Sequence, residues 1–545
     1  MVRALKYLRY ISVVVTAAAV CGLSACVKND IPYPVVPLYL TAIYGDGVTV
    51  TKCDTETNTL SVELDELCNI REVLIDSVKY STEASLSREL TGALNLKYPI
   101  DVRLSHYQNY DWQIVASQPI ERYFKVTGQI GAEVVDEENQ TITVYVNTEK
   151  TDINNIVVEE LKLGPVGITS LSLDISQPLQ FLTYKSVVAK YYDETERWKL
   201  YVEHTDIKVI LTLCEAWATS AWLEAAGDTT EVCGFYYRKV GDDDWTEVDV
   251  ADVVMGSGTF STQITGLSPQ TEYEFMAYSG SDKSPTQTKE SDAKAQMPNS
   301  DFEDWSQPSK AWFPYLSESE AYWSTGNEGA TTVGDSYNLT TGVSDPRTGS
   351  SGSKAAQLKS RNVLVKFAAG NLFVGDYVRT DGTNGVVGFG QKFTSRPTAL
   401  RGWVKYTQGT IDCVGTVPAG ETIVSGTTPD RGMIYIALGD WTKEEYGVNP
   451  ADMSIEGTDD TPLLVYTRYP STFFDPTADE VIAYGEYEIT QSIGSWTQFT
   501  IPLDYAVMDR VPTHIIVVCS ASKYGDYFTG SSDSVMSLDD FELIY

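Results

Sequence analysis

Histidine and basic side chains are what this 545-residue chain has least of. It holds three histidines, His106, His204 and His514, and 40 Lys plus Arg against 75 Asp plus Glu, for a formal net charge of -35. Histidines so widely spaced argue against a His-rich zinc or haem centre. The acidic excess, with a sequence pI near 4.4, repels phosphate backbones and anionic headgroups, so nucleic acid and membrane-surface binding drop out as working functions. Walker loops, Gly-x-Ser-x-Gly elbows, His-Glu-x-x-His pairs and the Glu-x-Asp-x-x-Glu run of jelly-roll glucanases are also missing. No long amphipathic helical period stands out. The apolar run Ile11 to Val20 falls short of the roughly 20 residues of a transmembrane helix.

What is present is strand. Hydrophobic residues make up 42%, and Tyr (34) outnumbers Phe (16), which marks a globular chain whose sheets have one wet face. Alternating β-branched and aromatic residues between Gly, Asn, Asp and Pro turns predict an all-β protein. Its length corresponds to about three or four domains.

The first 25 residues carry Arg3, Lys6 and Arg9, then the apolar run, then Leu23-Ser-Ala-Cys26. A basic segment, a short apolar core and small residues make a secretory signal, and its ending resembles the bacterial lipoprotein box, which implies lipidation at Cys26. Val27 in place of an aspartate favours the outer membrane, with the cell-surface and periplasmic faces both open. The membrane is then touched only through the lipid. Six further cysteines, Cys53, Cys68, Cys214, Cys233, Cys413 and Cys519, are read as buried free thiols in preference to disulfides, which an exported chain also permits.

After a tether at 26–36 comes an internal repeat. Asp54-Thr-Glu-Thr-Asn-Thr-Leu-Ser-Val62 answers Asp136-Glu-Glu-Asn-Gln-Thr-Ile-Thr-Val144, and Trp112-Gln-Ile-Val answers Trp198-Lys-Leu-Tyr. The period is that of a small sandwich, so 37–118 and 119–206 read as tandem immunoglobulin-like modules. The segment 207–297, with Gly234-Phe-Tyr-Tyr-Arg-Lys239, Trp245 and Ile264-Thr-Gly-Leu-Ser-Pro-Gln-Thr-Glu-Tyr273, resembles a fibronectin type III domain. Its Tyr273 hydroxyl is expected to reach back to upstream backbone. Polar residues from Ser279 to Pro298 suggest a frayed strand and a linker. The remaining residues, 298–545, suit a larger jelly roll. Three modules of some 35–40 Å each would span on the order of 100 Å between lipid and last domain.

That last domain opens with Pro298-Asn-Ser-Asp-Phe-Glu-Asp-Trp305 and closes with Ser537-Leu-Asp-Asp-Phe-Glu-Leu-Ile-Tyr545. The pairing resembles jelly-roll carbohydrate-binding modules that hold a structural calcium between their ends. The resemblance implies Glu303 and Asp539 as ligands, with Asp301 and Asp540 beside them; two solvated acidic turns are the plain alternative. Tyr322-Trp-Ser-Thr-Gly-Asn327, Gly352-Ser-Lys-Ala-Ala356, Ala483-Tyr-Gly-Glu-Tyr-Glu488 with Trp496, and Ser520-Ala-Ser-Lys-Tyr-Gly-Asp-Tyr-Phe-Thr-Gly530 resemble the putative carbohydrate metabolism domain (PCMD) of Bacteroidetes lipoproteins. This implies a glycan ligand and a place in polysaccharide acquisition, with outer-membrane glycan-uptake proteins as partners.

Sugar rings stack on exposed aromatics while polar groups bond the hydroxyls. In Leu400-Arg-Gly-Trp-Val-Lys-Tyr406, period-two alternation puts Arg401, Trp403 and Lys405 on the face opposite Leu400, Gly402, Val404 and Tyr406. Arg401 and Trp403 are thus one candidate sugar contact. Trp323 with Asn327, and Tyr524 with Asp526 and Tyr527, lie in Gly- and Ser-rich sequence and form a second set. A glycoside hydrolase would need two carboxylates about 5–9.5 Å apart; Glu486, Asp526 and Asp440, each beside aromatics, are the candidates. Glycan binding, hydrolysis by the same domain, and a structural or adhesive surface role are the readings the sequence leaves, in that order.

Overall fold

The computed structural model describes residues 37–55, 57–364, 366–418, 421–447 and 455–545. The signal segment, the tether and Cys26 lie outside the described residues. No helix among the described residues is long and apolar enough to cross a membrane. The chain is all-β, and it divides into two compact units, one ending at Gln118 and one running from Pro119 to Tyr545.

The first unit packs a three-stranded sheet on a five-stranded one. Thr59–Leu64 pairs in parallel with Gln108–Ser117, and Trp112, 1% exposed, drops into the core and donates to the Leu38 carbonyl. The second unit begins with the same local construction. Thr141–Asn147 pairs in parallel with Glu194–Thr205, and Trp198 is equally buried. Even the turns match, with Asn58 and Gln140 both at φ 52° one residue before the strand.

Residues from Val209 on form a third sandwich, where the Tyr273 hydroxyl accepts the Ser268 N–H at 2.8 Å. The polar stretch read as a linker is instead ordered. Gln287–Glu290 is a strand on Glu272–Ser279, and the chain then seats on the next sandwich. There the Gln296 side chain acts as a strand edge, bonding both N–H and C=O of Leu543 at 2.7 Å, and Met297 enters the next core. The junction is locked by Arg396, 3% exposed. It forks onto Asp292, bonds Glu215 at 2.9 Å and lies 5.5 Å from the centre of the Trp217 ring. Polarity alone hid this, because these polar groups are satisfied by partners more than a hundred residues away.

The last domain is a jelly-roll sandwich of a nine-stranded and a five-stranded sheet. In the larger sheet the neighbours are Leu463–Tyr466, Asn384–Phe389, Asn371–Asp381, His514–Ser520, Gly432–Gly439, Val481–Ile489 and Asp504–Tyr505. Leu372, Cys519, Ile434 and Ile436 point inward to the main core, against Leu358, Leu400, Val404 and Leu538 of the smaller sheet. The alternate residues Phe373, Phe389, Ala437 and Ile516 belong to a second cluster on the far face, with Trp441, Leu463 and Val465. The sheet is therefore apolar on both faces, and one of them carries the cavity described next. All six described cysteines are unpaired, three of them buried.

Candidate functional site

On the face of the nine-stranded sheet away from the main core, two cross-strand rows form a floor. One runs Phe373, Val518, Tyr435, Glu486, and the next Asn371, Ser520, Met433, Glu488. The first three members of each row line a cavity of about 280 Å³. A second hollow, of about 580 Å³, shares Lys366, Phe367, Asn384, Thr467, Asp526 and Phe528 with it, so the two form one cleft. Most of the wall is apolar and aromatic with a few polar groups, the composition of a small-molecule or sugar site.

The Ser520–Gly530 motif is the lip of this cleft. Asp430 explains its serines: fully buried, its Oδ2 accepts from the Ser522 and Ser534 hydroxyls and the Ser531 N–H at 2.6–2.8 Å. The carboxylate pins both ends of the loop. Burial raises the Asp430 pKa, and those donors only partly offset it. Between the pins, Gly525 comes so close to the wall that a Cβ would lie 2.5 Å from that of Ala369. Phe528 turns the chain at φ 55°. Asp526 is thereby held where the two hollows meet. Its surface is open to the cleft, yet the surrounding protein strips enough water to push its pKa to about 6. Because water reaches it, that shift is an upper bound on the desolvation it feels.

Beyond the cavity edge, Glu488 receives Arg431 and Lys523, and Arg431 also bonds Glu421 and the Tyr524 hydroxyl. Burial raises the Glu488 pKa, but Lys523 and Arg431 outweigh it and hold it below the usual range. Lys366 stands apart: its Nζ donates to Thr383 Oγ1 and Asn384 Oδ1, 3.2 Å each, and lies 3.2 Å from the centre of the Phe528 ring.

The structure scatters the residues singled out in sequence. Asp526 lines both hollows and Tyr527 the larger one, where its ring meets Phe473 edge-on. Tyr524 is 6% exposed and serves the Arg431 network behind them. Two candidates need correction. Trp323 is fully buried in the main core, donating to the Pro298 carbonyl, and Asn327 is fully buried too. Asn327 spends its amide on Trp312 O, Thr340 O and the N–H groups of Leu339 and Thr340. It holds up the cleft wall at Gly326 and Gly329 and does not itself line the cavity. A Gly-rich stretch reads as an exposed loop, but here its backbone is bonded by a buried amide.

Arg401 and Trp403 lie on the outer face of the smaller sheet, on the far side of the sandwich from the cleft. Arg401 pairs with Glu542, and Trp403 is half-exposed, 4.9 Å from the Arg347 guanidinium. Among the carboxylates, Glu486 extends the floor row without lining the cavity and takes the Tyr484 hydroxyl at 2.6 Å. Asp440 is at the far end of its strand, bonded by Thr513. Asp526 is the one carboxylate among the described lining residues.

The proposed calcium ligands do not converge. Glu303 accepts the N–H groups of Ser353 and Lys354, and its carbonyl takes the Lys354 ammonium. Asp540 is held by Arg347 and Ser350, and Asp301 is exposed. Asp539 is fully buried: Oδ2 accepts the Arg347 N–H, and Oδ1 has no partner. No group of three metal-binding side chains exists among the described residues. Arg347 already occupies Asp540 and Lys354 the Glu303 carbonyl, so these residues, as placed, do not form a calcium donor set.

Sequence reasoning missed Asp430, Arg431 and Lys366, which occupy unremarkable strand and turn sequence, and it quoted Glu488 only as part of a motif, without a role.

An aromatic cleft on one face of a jelly-roll sandwich defines the class: a β-sandwich protein with a candidate ligand cleft. A family model described as "Putative carbohydrate metabolism domain" matches residues 301–544, essentially the whole of the last domain. The chain is also similar to a structure titled a putative glycoside hydrolase from Bacteroides thetaiotaomicron, with 16% identity over 78% of this chain and 96% of that one, at a TM-score of 0.30. A second, of the same title from Bacteroides vulgatus, is 23% identical over 45% of this chain and 96% of that one, at 0.32. Likenesses at this level define no shared activity. No curated protein matches the chain.

Proposed function

We propose that this protein is an outer-membrane lipoprotein, anchored through Cys26, that binds glycans in the cleft of its last domain during polysaccharide acquisition. The observation that carries the reading is the cleft itself, with Tyr435 and Phe528 as ring surfaces and Asp526, Asn371 and Asn384 as hydroxyl partners. The carbohydrate-related family match over the same residues supports it. Binding is favoured over hydrolysis because glycosidases of the two-carboxylate kind need a second acid in reach, and Asp526 stands alone among the described lining residues.

A glycan-array screen of the purified protein tests this. Binding to a defined glycan that falls at least tenfold in Asp526→Ala and Phe528→Ala, and is untouched in Trp403→Ala, is the expected result. Binding that survives both cleft substitutions, or no binding to any arrayed glycan, defeats the cleft reading. Shortened products released from an arrayed glycan would establish the hydrolase instead.

A further inference from the structure

The charge of the cleft runs against that of the chain. Acidic residues outnumber basic ones nearly two to one over the sequence. Yet the charged groups lining the two hollows, among the described residues, are Lys366, Lys523, Arg468 and Asp526. Two of the three cations are already neutralised, Lys523 by Glu488 and Arg468 by Asp381 at 3.3 Å. Lys366 is not. Its partners are two neutral oxygens and a ring face. An ammonium has three N–H donors; two are spent on neutral oxygens and the third faces the ring, so a full positive charge sits partly buried with no anion beside it.

A neutral sugar would leave that charge without a counter-ion as it displaced the cleft water, at a desolvation cost. A carboxylate or sulfate oxygen would turn the same group into a charge-assisted hydrogen bond, about twice as strong as a neutral one. Burial and the nearby Arg468 lower the Lys366 pKa; an anion brought to the ammonium would oppose that shift.

Building on the glycan-binding reading, we propose that the cleft selects anionic glycans, with the carboxylate of a uronic acid or a sulfate ester seated on Lys366 and the aromatic wall stacking the ring that carries it. The overall negative charge of the protein makes this selection local: the anion is held by one placed ammonium, not gathered by a positive field.

Calorimetric titration of the purified protein decides it, with trigalacturonate, its methyl ester as a neutral twin, a chondroitin sulfate tetrasaccharide and its desulfated form. The expected result is at least tenfold tighter binding of the anionic member of one pair, which identifies the anion as carboxylate or sulfate. That preference should vanish in Lys366→Gln and persist in Lys366→Arg. Equal binding of both members of a pair, or binding confined to neutral glycans on the array, overturns the anionic selection and leaves the glycan reading standing. Failure of all four probes together with an empty array overturns both. The comparison within each pair needs only the unaltered protein, so it holds even if a substitution at Lys366 disturbs folding.

Discussion

Asp539→Asn is the most informative single change, because Asp539 combines full burial with a charge nothing fully satisfies. Burial pushes its pKa up to about 6, with Asp540 adding to the rise, while the Arg347 and Asp540 N–H groups and the Arg347 charge pull the other way. A pKa raised in the folded state favours the protonated form. The stability tied to this group is present below about pH 4 and lost as pH rises through about 6. Two units correspond to about 3 kcal/mol, and about 1–3 kcal/mol is the working range. Asparagine keeps the acceptor for the Arg347 N–H and removes the ionisation, but leaves an amide group at the unpartnered Oδ1 position, a cost of roughly 1 kcal/mol at every pH.

About half of that pH-dependent loss is already complete at pH 5, so the melting temperature of Asp539→Asn should gain on the parent by roughly 1–6 °C between pH 5 and pH 8 for a domain of this size. Differential scanning calorimetry at both pH values, each with millimolar calcium and with chelator, reads it. A constant gap between the two proteins would refute the uncompensated charge. Calcium that raised the parent's transition at pH 8 and left Asp539→Asn unmoved would show a cation on Oδ1, and would overturn the conclusion that the donor set does not fit.

Further outcomes follow from the same contacts. Arg396→Leu strands Asp292 beneath the junction and leaves Glu215 with Lys289 alone, so it should cost about 3–5 kcal/mol; new proteolytic cleavage between residues 291 and 297, or a transition split in two, would register it. Trp323→Ala should destabilise the last domain by about 3–5 kcal/mol as a core cavity, whereas Trp403→Ala should change its melting little; equal melting shifts would contradict the placement of the two rings. Asp430→Ala removes the acceptor of Ser522, Ser531 and Ser534 and should loosen the loop carrying Asp526. Faster amide exchange at 520–534 is expected, and unchanged exchange there would sink the pinning role.

Period-two alternation and turn chemistry are local properties, so the all-β class was legible from the order of residues alone. That order marked the repeat whose Trp112 and Trp198 both fill cores, and the two-sided pattern at Leu400 to Tyr406, whose even members are buried. It also drew attention to the Ser520–Gly530 loop and to Asp526 within it. What it could not tell was which aromatics face a ligand. Trp323 and Tyr527 both sit in Gly-rich sequence, and only the packing of distant strands sends one into the core and the other to the cleft. The cleft floor is likewise a tertiary fact: Phe373, Val518 and Tyr435 become neighbours through strand pairings that each span more than 80 residues. The same holds for charge. The sum over the chain is fixed by composition, but whether a given ammonium is paired, as Lys523 is, or left with neutral partners, as Lys366 is, depends on which carboxylates the fold brings within about 4 Å.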